Sequence, residues 1–169
     1  MGTIKNFPFP TALVVGRWQP FHNGHLYLIK ETLKISKRAI IVVGSSNATD
    51  KNNPLNYQDR EKLLKKVIGK EKIADRVAKI FALPDYPDDQ TWVKKLVRRA
   101  GEFQVVIGNN EWTNRVLQQA GYQVITIPEL DRQRLQGTAI RQSVKQNRTW
   151  QDKVPNYLAD DLEKLLPSS

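Results

Sequence analysis

At 169 residues, with 40% hydrophobic and 26% charged side chains, the chain has the size and composition of one folded domain rather than a disordered segment. The absence of cysteine excludes a disulfide framework, a thiolate nucleophile and any Cys-based zinc site. A net charge of +10 leaves two readings, a basic nucleic-acid face or an anionic small-molecule substrate.

The N-terminus, MGTIKNFPFP, lacks an apolar signal core, and Asn6 stands where a myristoylation motif needs Ser or Thr. No apolar run approaches the ~18 residues of a membrane span, so a cytoplasmic protein away from membranes is expected. TALVVG (11–16) reads as a first buried strand, and NGHLYLIKETLKI (23–35) as a helix with Leu26, Ile29 and Leu33 on one stripe. AIIVVG (39–44) repeats the strand-then-glycine pattern, and a polar stretch leads into a helix over 57–69. RVAKIFALP (76–84) is a third strand, followed by the helix DQTWVKKLVRRAG with a glycine stop. FQVVIG (103–108) and YQVITIP (122–128) are strands four and five, separated by the helix NEWTNRVLQQAG. GTAIRQSVKQN opens a further helix, and VPNYLADDLEKLL a last one with Pro155 near its start.

Five short apolar runs alternating with amphipathic helices predict an α/β fold: a doubly wound, Rossmann-like parallel five-stranded sheet with helices on both faces. A single domain over 1–169 is expected, with 1–10 as a tail and 150–169 as a helical segment packed on the core. Ligands in such sheets sit beyond the carboxyl ends of the strands, where strand order reverses. The segments after Gly16, Gly44, Pro84, Gly108 and Pro128 are therefore the places to look.

The phosphate signatures GxxxxGK with Ser or Thr and GxGxxG are both absent. The first strand instead runs into GRWQPFHNGHL (16–26), which holds both of the chain's histidines at the start of a helix. A helix N-terminus favours an anion, and Gly24 lets a phosphate approach the backbone closely. His22 and His25, three residues apart, can share one side of a turn, and Arg17 adds a planar cation suited to phosphate oxygens. A structural hydrogen-bonding pair and a zinc site are the competing readings, the latter short of ligands without cysteine.

The stretch resembles the HxGH signature of the nucleotidylyltransferase superfamily, in the extended form GRxQPFHxGH found in archaeal-type nicotinamide mononucleotide adenylyltransferases. The likeness runs from about residue 12 to 166. It implies that His22, His25, Arg17 and Arg141 are catalytic. It also implies ATP contacts at Gly16, Gly24, Gly108, Asn109, Gly137 and Thr138. LQGTAIR (135–141) is similar to the family's second signature, with Gln136 where Ser is usual. Trp92 matches a ring that stacks on nicotinamide, and Asp85 a residue near the carboxamide or ribose. NPLNYQDRE (53–61) departs from the family pattern: the acid–arginine order is reversed, and Asn52 replaces a phosphate-binding Arg, for which Lys51 stands in.

The implied reaction joins ATP and nicotinamide mononucleotide (NMN) to give NAD and pyrophosphate, with Mg²⁺ carried on ATP and no metal held by the protein. A homo-oligomer without nucleic acid is expected. Nicotinate mononucleotide, another phosphorylated acceptor such as phosphopantetheine, a non-catalytic nucleotide sensor and a nucleic-acid module are the alternatives.

Overall fold

In the computed structural model, residues 6–168 are described. Five strands form one parallel sheet: β1 (Phe9–Gly16), β2 (Ser36–Val43), β3 (Val77–Ala82), β4 (Val105–Gly108) and β5 (Val124–Thr126), in the order β3-β2-β1-β4-β5. Order reverses between β1 and β4, which pair through Ala12 with Val105, Leu13 with Val106 and Val14 with Ile107. Between the strands run α1 (Asn23–Ile35), α2 (Tyr57–Lys70), α3 (Asp89–Ala100) and α4 (Glu111–Gln119). α5 (Arg132–Leu135), α6 (Gly137–Lys145) and α7 (Ala159–Leu165) complete the chain.

Strand alternation divides the core in two. Ala12, Val14, Ile41 and Ile107 face α1, α2, α6 and the C-terminal segment, where Leu28, Leu64, Ile140, Trp150 and Leu162 are buried. Leu13, Ile40, Val42 and Val106 face the other side, against Trp92 and Leu96 of α3 and Val116 and Leu117 of α4. Helices on both faces thus follow from the reversal at β1.

Besides α1, described below, three helices start on side-chain caps: Asn56, Asp88 and Asn110 each accept the backbone N–H three residues on. Several boundaries differ from the sequence reading: β2 starts three residues early, at Ser36, and β3 and β4 are shorter than expected. Phe9 and Pro10 already belong to β1, so the expected tail is shorter, and residues 1–5 lie outside the described region. β5 keeps three residues of an expected seven, because it pairs only with Val106, Ile107 and Gly108 of β4. The last helix opens as a 3₁₀ turn, Asn156–Leu158, before α7. Among the described residues no helix is long and apolar enough to cross a membrane.

Candidate active site

The strand ends at the reversal point open into two adjoining cavities. One, about 330 Å³, is lined by Gly16, Arg17, His22, His25, Asn109, Gly137, Thr138 and Arg141 among others. The second, about 320 Å³, is lined by Ser45, Asp85, Trp92, Trp112 and Thr113 and shares Val15, Gly16, Arg17 and Asn110 with the first.

The histidine loop is built by its own side chains. His22 caps α1, its Nδ1 accepting from the His25 N–H (3.3 Å), while His25 Nδ1 accepts from the His22 N–H (3.2 Å). This reciprocal capping box stacks the two rings with centroids 3.6 Å apart. Since both Nδ1 atoms accept, each neutral ring carries its proton on Nε2, the nitrogen left for a ligand. Gly24 is required by this stack. A Cβ there would lie 2.9 Å from the His22 ring. Trp18 and Phe21, both buried, wall in His25 at 4.8 and 5.5 Å between centroids.

Burial pushes the His22 pKa down to about 4. It holds His25 well below its ordinary value, with the neighbouring His22 charge adding to the effect. Both rings are therefore neutral donors at pH 7. A pKa depressed on folding means that the unfolded chain binds the proton more tightly, so this stability is complete above pH 6.5 and lost as pH falls toward 4. The expected loss from His22 is about 3 kcal/mol across that window, and urea unfolding at pH 7 and pH 4.5 measures it. For His22→Asn we expect a shallower acid slope than for the parent protein; an unchanged slope would contradict the assignment.

Across the cleft, α6 begins at Gly137 with no side-chain cap hydrogen bond from Gln136. Its first N–H groups lack the partner that Asn56, Asp88 and Asn110 supply elsewhere. A Cβ at Gly137 would come within 2.7 Å of the Gln19 carbonyl, so only glycine permits this approach of helix to loop. The same carbonyl accepts Arg141 Nη1 (2.5 Å), and Arg141 Nη2 reaches Thr138 Oγ1 (3.3 Å). Gln19 is itself fixed by both amide atoms to the Leu55 backbone (2.7 and 3.0 Å).

Burial and the Arg17 charge push Arg60 and Arg141 below the usual guanidinium range. Arg17 thus repels both Arg60 and Arg141, a positive field suited to an anion. Arg60 is fully buried and donates to four carbonyls: Asn56 (3.3 Å), Arg17 (3.0 Å), Gly44 (2.8 Å) and Ser45 (3.1 Å). It ties the ends of β1 and β2 to α2.

In the second cavity Trp92 is 4% exposed and meets Trp112, 38% exposed, edge to face at 4.9 Å. Asp85 accepts from Ser45 Oγ (2.9 Å), and its N–H donates to Asn47 Oδ1 (2.9 Å). Of the residues singled out by sequence, Gly24 and Gly108 lie behind the lining, Gly108 against the Asn114 amide. Lys51 is exposed and lines neither cavity, although its neighbour Asp50 feels the Arg17 charge. Sequence reasoning did not single out Trp112, Ser45, Asn110, Glu129 or Arg132. Trp112 alone left a trace, as an aromatic in the first turn of the helix after a strand-ending Gly-Asn.

A cationic cleft where strand order reverses in a doubly wound sheet defines the class, a Rossmann-like α/β protein. The chain belongs to the cytidylyltransferase-like family, whose model matches residues 13–143. It is 30% identical over 156 residues to a nicotinamide-nucleotide adenylyltransferase of Ignicoccus hospitalis, covering 91% of each chain. It also resembles a bifunctional NMN adenylyltransferase/ADP ribose pyrophosphatase from Francisella tularensis, with a TM-score of 0.80 and 22% identity over 92% of this chain and 50% of that one. A second such structure, complexed with AMP and a Mn ion, gives a TM-score of 0.72 at 23% identity, covering 92% and 49%. The chain thus spans about half the length of those two proteins, and the likeness to them is one of fold.

Proposed function

We propose that the protein is a nicotinamide-nucleotide adenylyltransferase, transferring the AMP moiety of ATP to NMN and releasing pyrophosphate. The observation that carries this reading is the pair of cavities meeting at Gly16, Arg17 and Asn110, one lined by polyphosphate donors and the other by two tryptophans. Such a junction sets the α-phosphate of one nucleotide against the 5′-phosphate of another. The relative from Ignicoccus hospitalis bears the name of this activity.

The mononucleotide phosphate is already an anion at neutral pH, so the reaction needs no strong base. A bond forms from its oxygen to the α-phosphorus as the bond to the β-phosphate breaks, and pyrophosphate leaves. Catalysis then rests on alignment and on stabilising the charge that develops. The Nε2–H groups of His22 and His25 donate to α- and β-phosphate oxygens. Arg17, at the shared wall, meets both substrates' phosphates and takes the place first given to Lys51. Arg141 and the uncapped N–H groups of Gly137 and Thr138 hold the β- and γ-phosphates, backbone contacts for which the Ser-to-Gln change at Gln136 is immaterial. Asn109 faces the adenosine.

No group of three or more His, Cys, Asp or Glu side chains among the described residues could hold a metal ion. The donor set fits a divalent ion that arrives on the triphosphate, and Mg²⁺, which keeps phosphate and water ligands, would neutralise charge on the departing pyrophosphate.

Trp92 forms the buried wall of the pyridine cavity and Trp112 its open face. A flat cationic ring on Trp112 gains stacking and cation–π attraction. For Trp112→Ala we expect KM for NMN to rise about tenfold with kcat changed far less, as steady-state kinetics would read. Asp85 favours the amide over the acid, because its carboxylate accepts from a carboxamide N–H and repels a carboxylate. Comparing kcat/KM for NMN and nicotinate mononucleotide tests the function directly. The amide is expected to lead by about tenfold or more. Equal use of the acid would remove Asp85 from the site, and failure of both would remove the reading.

A further inference from the structure

Among the residues that line the phosphate cleft, Glu129 is the one carboxylate. A lone negative charge there opposes a triphosphate unless something engages it. Arg132 does so: its Nε lies 3.1 Å from Glu129 Oε2, and Arg132 lines the same cleft. The Arg132 side chain is 73% exposed, so the pair is in water and weakly held. Arg134, on the same short helix, is committed elsewhere, to Asp131 (2.9 Å) and Asp152 (3.3 Å), and lines neither cavity.

We infer that Arg132 is a further polyphosphate ligand, parked on Glu129 when the cleft is empty and taken by the β- and γ-phosphates when ATP binds. A triphosphate carries more charge than one carboxylate and offers the guanidinium a bidentate partner, so it wins the exchange. Arg132 stands at the start of α5, which ends just before the α6 N-terminus, so a ligand on Gly137 and Thr138 is near it. The exchange also works in reverse. After transfer, Glu129 competes with pyrophosphate for Arg132 and speeds its release. This rests on the polyphosphate assignment of the cleft but not on the identity of the acceptor nucleotide.

Calorimetric titration with inorganic tripolyphosphate tests it without turnover. For Arg132→Ala we expect affinity to fall about 10- to 100-fold, the range of a charge-assisted hydrogen bond. Arg134→Ala, which removes the same charge from the same helix, should stay within about twofold. Glu129→Gln should tighten binding several-fold and slow pyrophosphate release. Unchanged affinity in Arg132→Ala, or an equal loss in Arg134→Ala, would overturn the inference. So would weaker binding in Glu129→Gln. If the parent protein makes no dinucleotide while Arg132→Ala still loses tripolyphosphate, the adenylyltransferase reading falls and the inference stands. Normal dinucleotide synthesis with unchanged tripolyphosphate binding overturns the inference alone.

Discussion

Replacing His25 with alanine is expected to lower turnover about 10²- to 10³-fold, the usual cost of removing one preorganised donor from a developing oxyanion. The geometry makes the loss specific to chemistry. His25 Nδ1 is committed to the His22 N–H, so Nε2–H is the neutral donor left for a phosphate under the proposed reaction. Folding should survive, since His25→Ala removes one half of a capping box, worth about 1 kcal/mol. His25→Asn restores a side-chain hydrogen-bond partner for the loop but not the placement of Nε2, and should recover stability more than rate. Thermal melts beside steady-state kinetics separate the two effects. A His25→Ala protein with near-normal kcat would remove the histidines from the mechanism.

The second large effect is on stability. For Arg60→Ala we expect a loss of about 2–4 kcal/mol, from several hydrogen bonds to backbone carbonyls lost at once and the space left by a buried side chain. Its guanidinium is 0% exposed, and its removal leaves the carbonyls of Arg17, Gly44 and Ser45 without their donor, the Gly44 carbonyl in a buried position. Arg60→Lys keeps the charge, but one ammonium cannot span carbonyls on three segments, so only part of the loss returns. Urea unfolding with an unchanged slope reads the difference. Because Arg17 and Ser45 line the second cavity, KM for NMN should rise in the lysine variant. A loss below about 1 kcal/mol for Arg60→Ala would mean that water replaces the guanidinium.

Arg60 also shows where sequence reading stops. The segment NPLNYQDRE resembles a displaced family motif, whose pattern points to the substituted phosphate arginine rather than to Arg60. The informative signal was position. Arg60 falls on the stripe of Leu63, Leu64 and Val67, all buried, and a charge on an apolar stripe must find buried partners. The strands were legible because each is a short apolar run, and α1 was bounded correctly as Asn23–Ile35 because a cap and a clean period coincide there. α5 was not legible. RQRL is one polar turn without an apolar period, formed between β5 and α6 by tertiary context, and with it went Arg132.

Within the site, residues that act through a local pattern were visible in sequence, and residues that act through distance in the chain were not. His22, Gly24 and His25 specify one another across one turn of backbone. Trp92 and Trp112 meet only because α3 and α4 pack on one face of the sheet. Composition alone ranked a nucleic-acid face beside an anionic substrate. The cleft favours the second, since Arg17, Arg132 and Arg141 line one concavity rather than a surface stripe.

Every catalytic role proposed for the cleft depends on transfer of the AMP moiety of ATP to a mononucleotide phosphate. The most direct measurement follows the label in a single turnover of Mg-ATP labelled at the α-phosphate, with NMN as acceptor. All transferred label is expected in NAD, with unlabelled pyrophosphate formed in equal amount. Label confined to ATP, or released as free AMP, would contradict it.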